Sequence, residues 1–371
     1  MGGGSALLGT CGPFTDVAPD AFCPFLLEIF TLGITTGTTA TTYDPSSPVT
    51  RLQMAAFLSR TVDGLLTRRS ERAPIRRFWT TRETLGLALT TVGNSPAAVE
   101  SDGADLWVAN VSTVSRVRGS DGRLLETWTG ADFGEGVLAA MGKIFVTGHV
   151  DPGRLYRIDP SQPAGAVTTV SSGLGGFPLA GIVFDGSRIW TANAGSPGSV
   201  SIVTPGPFIP WSVTTVTAGF TTPVGMVYDG ANVWATDTGT GAILKLDASG
   251  AVLQTVSAGP IPVYPAFDGT NIWIPNDFSG ASSVTVVRAS NGAVLATLTG
   301  NGLDQPITAA FDGQLVLVTS ENADRVSLWR AGDLTALGSL STGASTAPVG
   351  ACSDGINFWI VLGGSNQLAR F

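Results

Sequence analysis

The chain has one histidine, His149, and only three cysteines among its 371 residues. One imidazole cannot supply the paired bases expected of a lyase, and it leaves a single candidate for any Ser-His-Asp triad. The cysteines and the histidine have no spacing typical of a zinc site. No apolar run reaches the ~20 residues of a membrane-spanning helix. These shortages count against triad and zinc catalysis and against a membrane span.

Charged residues are also scarce, at 13% of the chain, and the net charge is −8. The first 77 residues contain 7 Lys and Arg against 6 Asp and Glu, so the remainder contains 13 against 22 and carries −9. A surface of that sign repels the phosphate backbone of nucleic acids. We therefore expect no nucleic-acid partner.

Two of the cysteines, Cys11 and Cys23, are close enough in sequence to close a small loop. The pair is compatible with an exported protein that has one disulfide, and equally with two free thiols. Cys352 lies in a strand-like segment, where we expect a buried apolar thiol. The first residues lack the charged start and long apolar stretch of a signal peptide, so we expect a mature or trimmed form of an extracellular or cell-surface protein.

A repeated phrase dominates the last three-quarters of the chain. It consists of an aromatic or apolar residue, Asp-Gly, two residues, and apolar-Trp-apolar followed by a small residue and Asn or Asp. The marker glycines lie at positions 103, 142, 186, 230, 269, 313 and 355, so the steps are 39 to 44 residues. A period near 40 filled with strand-forming residues is typical of a propeller blade. Seven copies predict a mostly β chain with a seven-bladed β-propeller.

The fourth copy contains the predicted four-strand unit most plainly. An inner strand of small residues, Pro223–Tyr228, is followed by strands at 232–236, 242–246 and 251–256. Asp-Gly supplies the positive φ of a tight hairpin, and the tryptophan packs between blades. The last copy has only three strands before the chain stops. We predict that segment 84–92 supplies the fourth strand and closes the ring, which removes an open sheet edge.

Residues 1–66 follow a helical pattern instead. A first helix is expected from Asp20 to about Leu32, with Gly33 ending it, and a second helix begins at Thr50. Gln53, three residues after Thr50, completes a capping box. The predicted fold class is therefore a seven-bladed β-propeller with a small N-terminal α-helical module.

The motifs of this module resemble the S-layer homology family. They are Phe14-Thr-Asp-Val17, Gly33-Ile-Thr-Thr-Gly37, Tyr43-Asp-Pro and Val49-Thr-Arg-Leu-Gln-Met54. In that family such modules bind cell-wall-linked polysaccharide, so the resemblance implies polymer contacts by Thr50, Arg51 and Gln53. Gln53 stands where the family has a glutamate, whereas Arg51 keeps a cation that can pair with an acidic sugar substituent. The alternatives are a solvated Arg51 and a module that only oligomerises or caps the fold.

The propeller repeats are similar to the seven-bladed class that includes surface-layer-type repeats and streptogramin-lyase-like proteins. This similarity implies a fold, and it says little about activity. Between the two parts, residues 67–83 include five arginines in the ten residues from Arg68 to Arg77. Such a block is predicted to be a solvated linker, with docking on an acidic surface as the alternative. The predicted domains are thus 1–66, the linker 67–83 and the propeller 84–371.

Candidate ligand-binding residues of the propeller follow the second strand in five of the seven copies, where the loops to the third strand begin around one mouth. They are Asn110, Asn193, Asp237, Asn276, Asp277, Glu321 and Asn322. Such a ring can coordinate a hard cation such as Ca²⁺ or hydrogen-bond a sugar. Asn and Asp also form local turn bonds, which is the alternative. No catalytic residue and no cofactor other than a possible Ca²⁺ is predicted.

The sequence as a whole predicts a non-catalytic extracellular bacterial surface protein. Its propeller is a binding or assembly module, and its N-terminal module attaches it to the envelope or oligomerises it. The expected partners are cell-envelope polysaccharide or other copies of the chain. One alternative is a metal-dependent hydrolase or lyase at the propeller mouth. Another is a structural subunit of a surface layer or filament.

Overall fold

A computed structural model of the chain describes residues 88–371 throughout. Before them it describes residues 11, 13–18, 23, 26, 29–30, 35, 38–39, 41–50, 53–54 and 57–58. The chain divides into two compact units, Met1–Thr84 and Leu85–Phe371. The Arg-rich linker lies outside the described residues, and the predicted domain boundaries stay predictions.

The Leu85–Phe371 unit contains seven four-stranded antiparallel sheets, which are the blades of a β-propeller. The seven-bladed propeller predicted from the repeats is confirmed. Strand β1 spans Ala88–Thr91. Blade 1 contains β2 (Pro96–Ser101), β3 (Asp105–Asn110), β4 (Thr113–Arg118) and β5 (Leu124–Thr129); blade 2 contains β6 (Gly134–Ala140), β7 (Lys143–Gly148), β8 (Gly153–Ile158) and β9 (Thr168–Leu174); blade 3 contains β10 (Pro178–Phe184), β11 (Ile189–Asn193), β12 (Ser199–Thr204) and β13 (Ser212–Val216).

The remaining blades follow in chain order. Blade 4 contains β14 (Pro223–Tyr228), β15 (Val233–Asp237), β16 (Ala242–Leu246) and β17 (Val252–Ser257); blade 5 contains β18 (Ala266–Phe267), β19 (Asn271–Asn276), β20 (Ser283–Arg288) and β21 (Val294–Leu298). Blade 6 contains β22 (Pro306–Phe311), β23 (Leu315–Ser320), β24 (Arg325–Arg330) and β25 (Ala336–Ser341); blade 7 contains β26 (Pro348–Ser353), β27 (Phe358–Leu362) and β28 (Gln367–Arg370).

Strand β1 completes blade 7 from the other end of the propeller sequence. It runs antiparallel to β28, with Ala88 opposite Arg370 and Thr91 opposite Gln367. One further bond, from the backbone N–H of Val92 to the carbonyl of Asn366 (3.1 Å), extends the pairing. The pairing covers the edge of β28 that would otherwise be open to other chains.

The aspartate of the repeated phrase holds both the hairpin and the tryptophan. In blade 3, Asp185 accepts the backbone N–H of Arg188 at 2.7 Å with one oxygen and the indole N–H of Trp190 at 2.7 Å with the other. The same aspartate-to-indole bond occurs at Trp107, Trp234, Trp273 and Trp359, at 2.7 to 2.8 Å. Each of these indoles is buried against the second strand of the following blade. The aspartate and the tryptophan of the repeated phrase thus form the contact between neighbouring blades.

The predicted N-terminal α-helical module is not supported, and this part of the fold class is corrected. The described residues contain strands and no bounded helix. Helical backbone occurs in the described N-terminal residues only singly or in pairs, at Cys23, Leu26, Ile29–Phe30, Gln53–Met54 and Phe57–Leu58. The apolar periodicity reflects burial around a disulfide between Cys11 and Cys23, where Phe14 and Leu26 are also buried.

Other predictions for this unit have mixed outcomes. The capping-box bonds are present: Gln53 donates its backbone N–H to the Thr50 hydroxyl (3.2 Å), and its side-chain oxygen accepts the backbone N–H of Thr50 (2.8 Å). The predicted helix limits at Asp20 and Leu32 lie outside the described residues. Within the described part of the chain, no helix has the length and apolarity needed to cross a membrane.

Candidate functional site

The inner strands of the blades surround an axial channel with two cavities. The outer cavity, of about 560 Å³, lies at the end where the inner strands begin. We call it the vestibule and define it by Glu135, Tyr264, Asp277 and Glu321, which are among the residues that line it. The inner cavity, of about 390 Å³, is lined by the inner strands as they run toward the Asp-Gly turns. Tyr264 lines both cavities, so its side chain lies between them.

Three carboxylates give the vestibule a negative charge. Burial raises the pKa of Glu135, and the charge of His149 opposes this. Burial also raises the pKa of Asp277, with a side-chain bond from Gln305 in opposition. For Glu321 burial is again the largest cause of a raised pKa, and the charge of Asp277 adds to it. No lysine or arginine of the described chain lines either cavity.

These carboxylates have few bonds to the rest of the protein. Oδ1 of Asp277 is buried and has no hydrogen-bond partner within the described residues. A buried acceptor without a partner costs roughly 1–3 kcal/mol, so such atoms are uncommon unless a ligand or water satisfies them. Oδ1 of Asp277 can therefore accept a hydrogen bond from water or from a ligand in the vestibule.

Tyr264 reaches the axis because the inner strand of blade 5 is irregular. Strand β18 has two residues, and three prolines (Pro260, Pro262 and Pro265) precede it. Proline has no N–H to give to a sheet ladder. The backbone of Tyr264 instead bonds to blade 6, donating to the carbonyl of Ile307 at 3.2 Å. Burial raises the pKa of the Tyr264 phenol, and the charges of Glu135 and Asp277 raise it further.

Three of the predicted site residues, Asn110, Asn193 and Asn276, are completely buried within their blades. Each donates its amide to a hydroxyl of the third strand: Asn110 to Ser115 (3.1 Å), Asn193 to Ser201 (3.0 Å) and Asn276 to Thr285 (3.0 Å). These hydrogen bonds within each blade indicate a structural role for the three amides. Ligand binding by these amides stays a prediction.

Asp237 and Asn322 also have partners inside the protein. Asp237 is completely buried and accepts the backbone N–H groups of Thr221 (2.7 Å) and Thr222 (3.1 Å). Asn322 is exposed and donates to the carboxylate of Asp304 (2.8 Å). Of the seven predicted residues, the structure brings Asp277 and Glu321 together at the vestibule.

Sequence reasoning missed Glu135 and Tyr264. Glu135 follows Gly134 at the start of the second inner strand, where five other inner strands begin with proline and a small or apolar residue. Alignment of the copies would have exposed a single charged residue at that position. Tyr264 had a weaker signal, namely its place in a proline-rich segment where a regular inner strand was expected.

The possible Ca²⁺ site lacks geometric support in the part of the chain that the structure describes. No group of three or more His, Cys, Asp or Glu side chains there is arranged to hold a metal ion. The only histidine, His149, has Nδ1 at 3.3 Å from the carbonyl of Pro178, and its ring lies 5.3 Å from that of Phe177. Of the predicted polymer-binding residues, Thr50 and Gln53 bond to each other, and Arg51 lies outside the described residues.

A comparison with known protein families identifies a domain in the N-terminal part of the chain. Residues 13–55 match the S-layer homology domain. S-layer homology domains typically bind cell-wall polysaccharides, so this match implies a cell-surface or S-layer-associated protein. The resemblance seen in the sequence motifs is confirmed. No curated protein matches the chain significantly.

The propeller is similar to many solved structures. Virginiamycin B lyase from Staphylococcus aureus is 15% identical, with a TM-score of 0.62 over 76% of this chain and 98% of that one. A streptogramin B lyase is 15% identical, with a TM-score of 0.60 over 76% and 97%. Hydrazine synthase from Kuenenia stuttgartiensis is 15% identical, with a TM-score of 0.62 over 78% and 98%. At this identity the similarity shows the fold alone.

Proposed function

We propose that the chain is a non-catalytic, envelope-attached binding protein whose propeller holds a ligand with several positive charges in the vestibule. The observation that carries this proposal is the group of three carboxylates, Glu135, Asp277 and Glu321, at one end of the channel, where no lysine or arginine of the described residues lines the wall. Their raised pKa values indicate that His149 and Gln305 compensate only part of the cost of burying these carboxylates.

A ligand that brings positive charge would supply the missing compensation. Carboxylates gain more from ammonium donors than from neutral ones, because charge-assisted hydrogen bonds are about twice as strong as neutral ones. Three carboxylates favour a ligand with two or more amino groups over a simple monovalent ion. The net charge of −9 after residue 77 would also raise the local concentration of such a ligand and speed its association.

The S-layer homology domain supplies the attachment in this proposal. Residues 1–66 bind the wall polymer through Thr50, Arg51 and Gln53, and residues 67–83 link them to the propeller at 84–371. Retention of the purified protein on isolated cell-wall material tests this part, with Arg51→Ala as the variant and Arg60→Ala as a matched control. Loss of retention in Arg51→Ala alone is expected. No retention of the natural chain, or equal retention of both variants, would contradict polymer binding.

Calorimetric titration with spermidine tests the vestibule. The triple variant Glu135→Gln, Asp277→Asn, Glu321→Gln is expected to bind at least tenfold more weakly than the natural chain. Asp333→Asn, in the turn between β24 and β25, removes one exposed charge at the opposite face and should leave the affinity unchanged. Raising the salt from 50 to 300 mM should weaken binding, because salt screens exposed charges. Equal affinities of the natural chain and the triple variant would refute the site.

The competing function is lyase or hydrolase chemistry at the same mouth. The charge of His149 acts on Glu135, which places a possible base beside a carboxylate. Two of the similar solved structures are named as streptogramin-type lyases. Conversion of a bound streptogramin B, abolished by His149→Ala and monitored by chromatography, would support this function over simple binding.

A further inference from the structure

The inner cavity is a second chamber on the other side of Tyr264, and the vestibule proposal does not use it. Its volume is about 390 Å³. The residues that line it are mostly alanine, glycine and aliphatic residues of the inner strands, with three aromatic residues, Tyr264, Phe267 and Phe311. We call this cavity the chamber.

Among the described residues, Glu100 is the one carboxylate that lines the chamber. It lies near the end of β2, and its side chain has no hydrogen bond or ion pair within the described residues. Its neighbours differ: Asp102 accepts the indole N–H of Trp107 at 2.7 Å, and Asp105 is paired with Arg116 at 2.7 Å. Burial raises the pKa of Glu100 to about 7. Glu100 is half-buried, and a partly ionised carboxylate there without a protein partner is costly unless water or a ligand pairs with it.

We propose that the chamber binds a small organic ammonium ion, with Glu100 as its counter-ion and Phe267 and Phe311 in contact with its apolar groups. Two features of the chamber agree on this class of ligand. A single carboxylate matches a single positive charge, and the aromatic and aliphatic residues of the wall can contact an alkyl group. Aromatic rings attract ammonium groups, with estimates from about 0.5–1 kcal/mol at exposed sites to about 2 kcal/mol when desolvated.

Other ligand classes fit the chamber less well. An anion would meet Glu100 with no basic side chain to balance it. A divalent metal ion needs several oxygen or nitrogen ligands, and the described chain offers no group of three. A neutral apolar molecule would leave the carboxylate without a partner.

The proposal predicts a dependence on pH. The other titratable side chains that line the chamber are Tyr264 and Cys352, and burial raises both pKa values, so both stay neutral at pH 8. On the strands packed against β2, Glu135 faces the vestibule and Asp105 is paired with Arg116. Glu100 is therefore the group that changes charge. With its pKa at about 7, it is mostly ionised at pH 8 and mostly protonated at pH 6.

Calorimetric titration of the full chain with tetramethylammonium chloride tests the chamber. Binding is expected at pH 8, about tenfold weaker at pH 6, because the ionised fraction of a group with pKa 7 falls about tenfold between them. Glu100→Gln should weaken binding at pH 8 at least tenfold and abolish the pH dependence. Asp333→Asn should change neither. tert-Butanol, which is similar in size and neutral, should not bind.

Each result decides for or against the chamber. No binding at pH 8, equal binding at pH 6, or equal binding by Glu100→Gln would overturn the proposal. If circular dichroism shows that Glu100→Gln does not fold, the pH profile of the natural chain and the tert-butanol comparison still decide. The proposal is independent of the vestibule, since it uses a different carboxylate and a monovalent probe.

Discussion

Removing the aspartate of one repeated phrase should separate a blade from its neighbour more than a surface turn mutation would. In blade 3, Asp185→Ala removes the acceptor of the buried Trp190 indole N–H. It also removes the acceptor for the backbone N–H groups of Ser187 and Arg188 in the turn. The side chain of Asp185 is only 10% exposed, so water replaces it poorly.

The size of the effect follows from these bonds. A buried donor that loses its acceptor costs about 1–3 kcal/mol, and each bond near the surface contributes about 0.5–1.5 kcal/mol. The expected loss of unfolding free energy is therefore about 3 kcal/mol. For a domain this large, it corresponds to a fall in melting temperature of roughly 6–12 °C.

The sixth copy of the phrase provides a matched control. Asp312 accepts the backbone N–H groups of Gln314 (2.8 Å) and Leu315 (2.6 Å), but Leu317 stands where the other copies have tryptophan. Asp312→Ala thus removes turn bonds without freeing an indole, and its cost should be about 1 kcal/mol.

Guanidinium unfolding of Asp185→Ala, Trp190→Phe and the double variant measures the bond directly. The double-mutant cycle cancels the free-energy cost of the cavity that the smaller ring leaves. The remaining coupling energy should be about 1.5–3 kcal/mol for a hydrogen bond to a charged acceptor. A coupling energy below about 0.5 kcal/mol, within the usual error of additivity, would refute the reasoning.

Two further predictions concern the stability of the ring. Deleting residues 88–91 removes β1 and reopens the edge of β28. Calorimetry should then give a melting temperature lower by at least about 10 °C, since each kcal/mol of lost stability lowers it by roughly 2–4 °C. An unchanged melting temperature would contradict closure by this strand. Burial acts to raise the pKa of Asp185, but the bonds from Trp190 and Arg188 outweigh it and lower the pKa to about 2. Because the folded pKa is below the unfolded value of about 4, the stabilisation is present above pH 4 and lost as the pH falls toward 2; the difference in unfolding free energy between the natural chain and Asp185→Ala should shrink accordingly, and a constant difference from pH 7 to pH 2.5 would contradict this.

The repeats predicted the propeller well because each phrase contains its own structural bonds. A turn glycine, the aspartate before it and the tryptophan five residues after that aspartate define a hairpin and one blade contact locally, so the pattern is readable without tertiary information. The candidate site was less readable. Whether an asparagine such as Asn193 is available to a ligand depends on the third strand, where the hydroxyl of Ser201 accepts a hydrogen bond from its amide. Glu135 was missed because it lies on an inner strand of the weakest copy, outside the phrase itself.

The distribution of bonded and unbonded carboxylates supports binding along the axis. Aspartates of the Asp-Gly turns accept backbone and indole N–H groups, so their charge is used by the scaffold. Glu100, Glu135 and Glu321 have no hydrogen bond within the described residues, and all three line the channel. Two exposed aspartates, Asp44 and Asp151, also have no side-chain hydrogen bond in that part of the chain. Glu100 and Glu135 are half-buried and Glu321 is exposed, and within the described residues none of the three takes part in the ring closure or in the blade contacts. Negative charge that serves no structural contact and lines both cavities of one channel supports the proposal that positively charged ligands enter it.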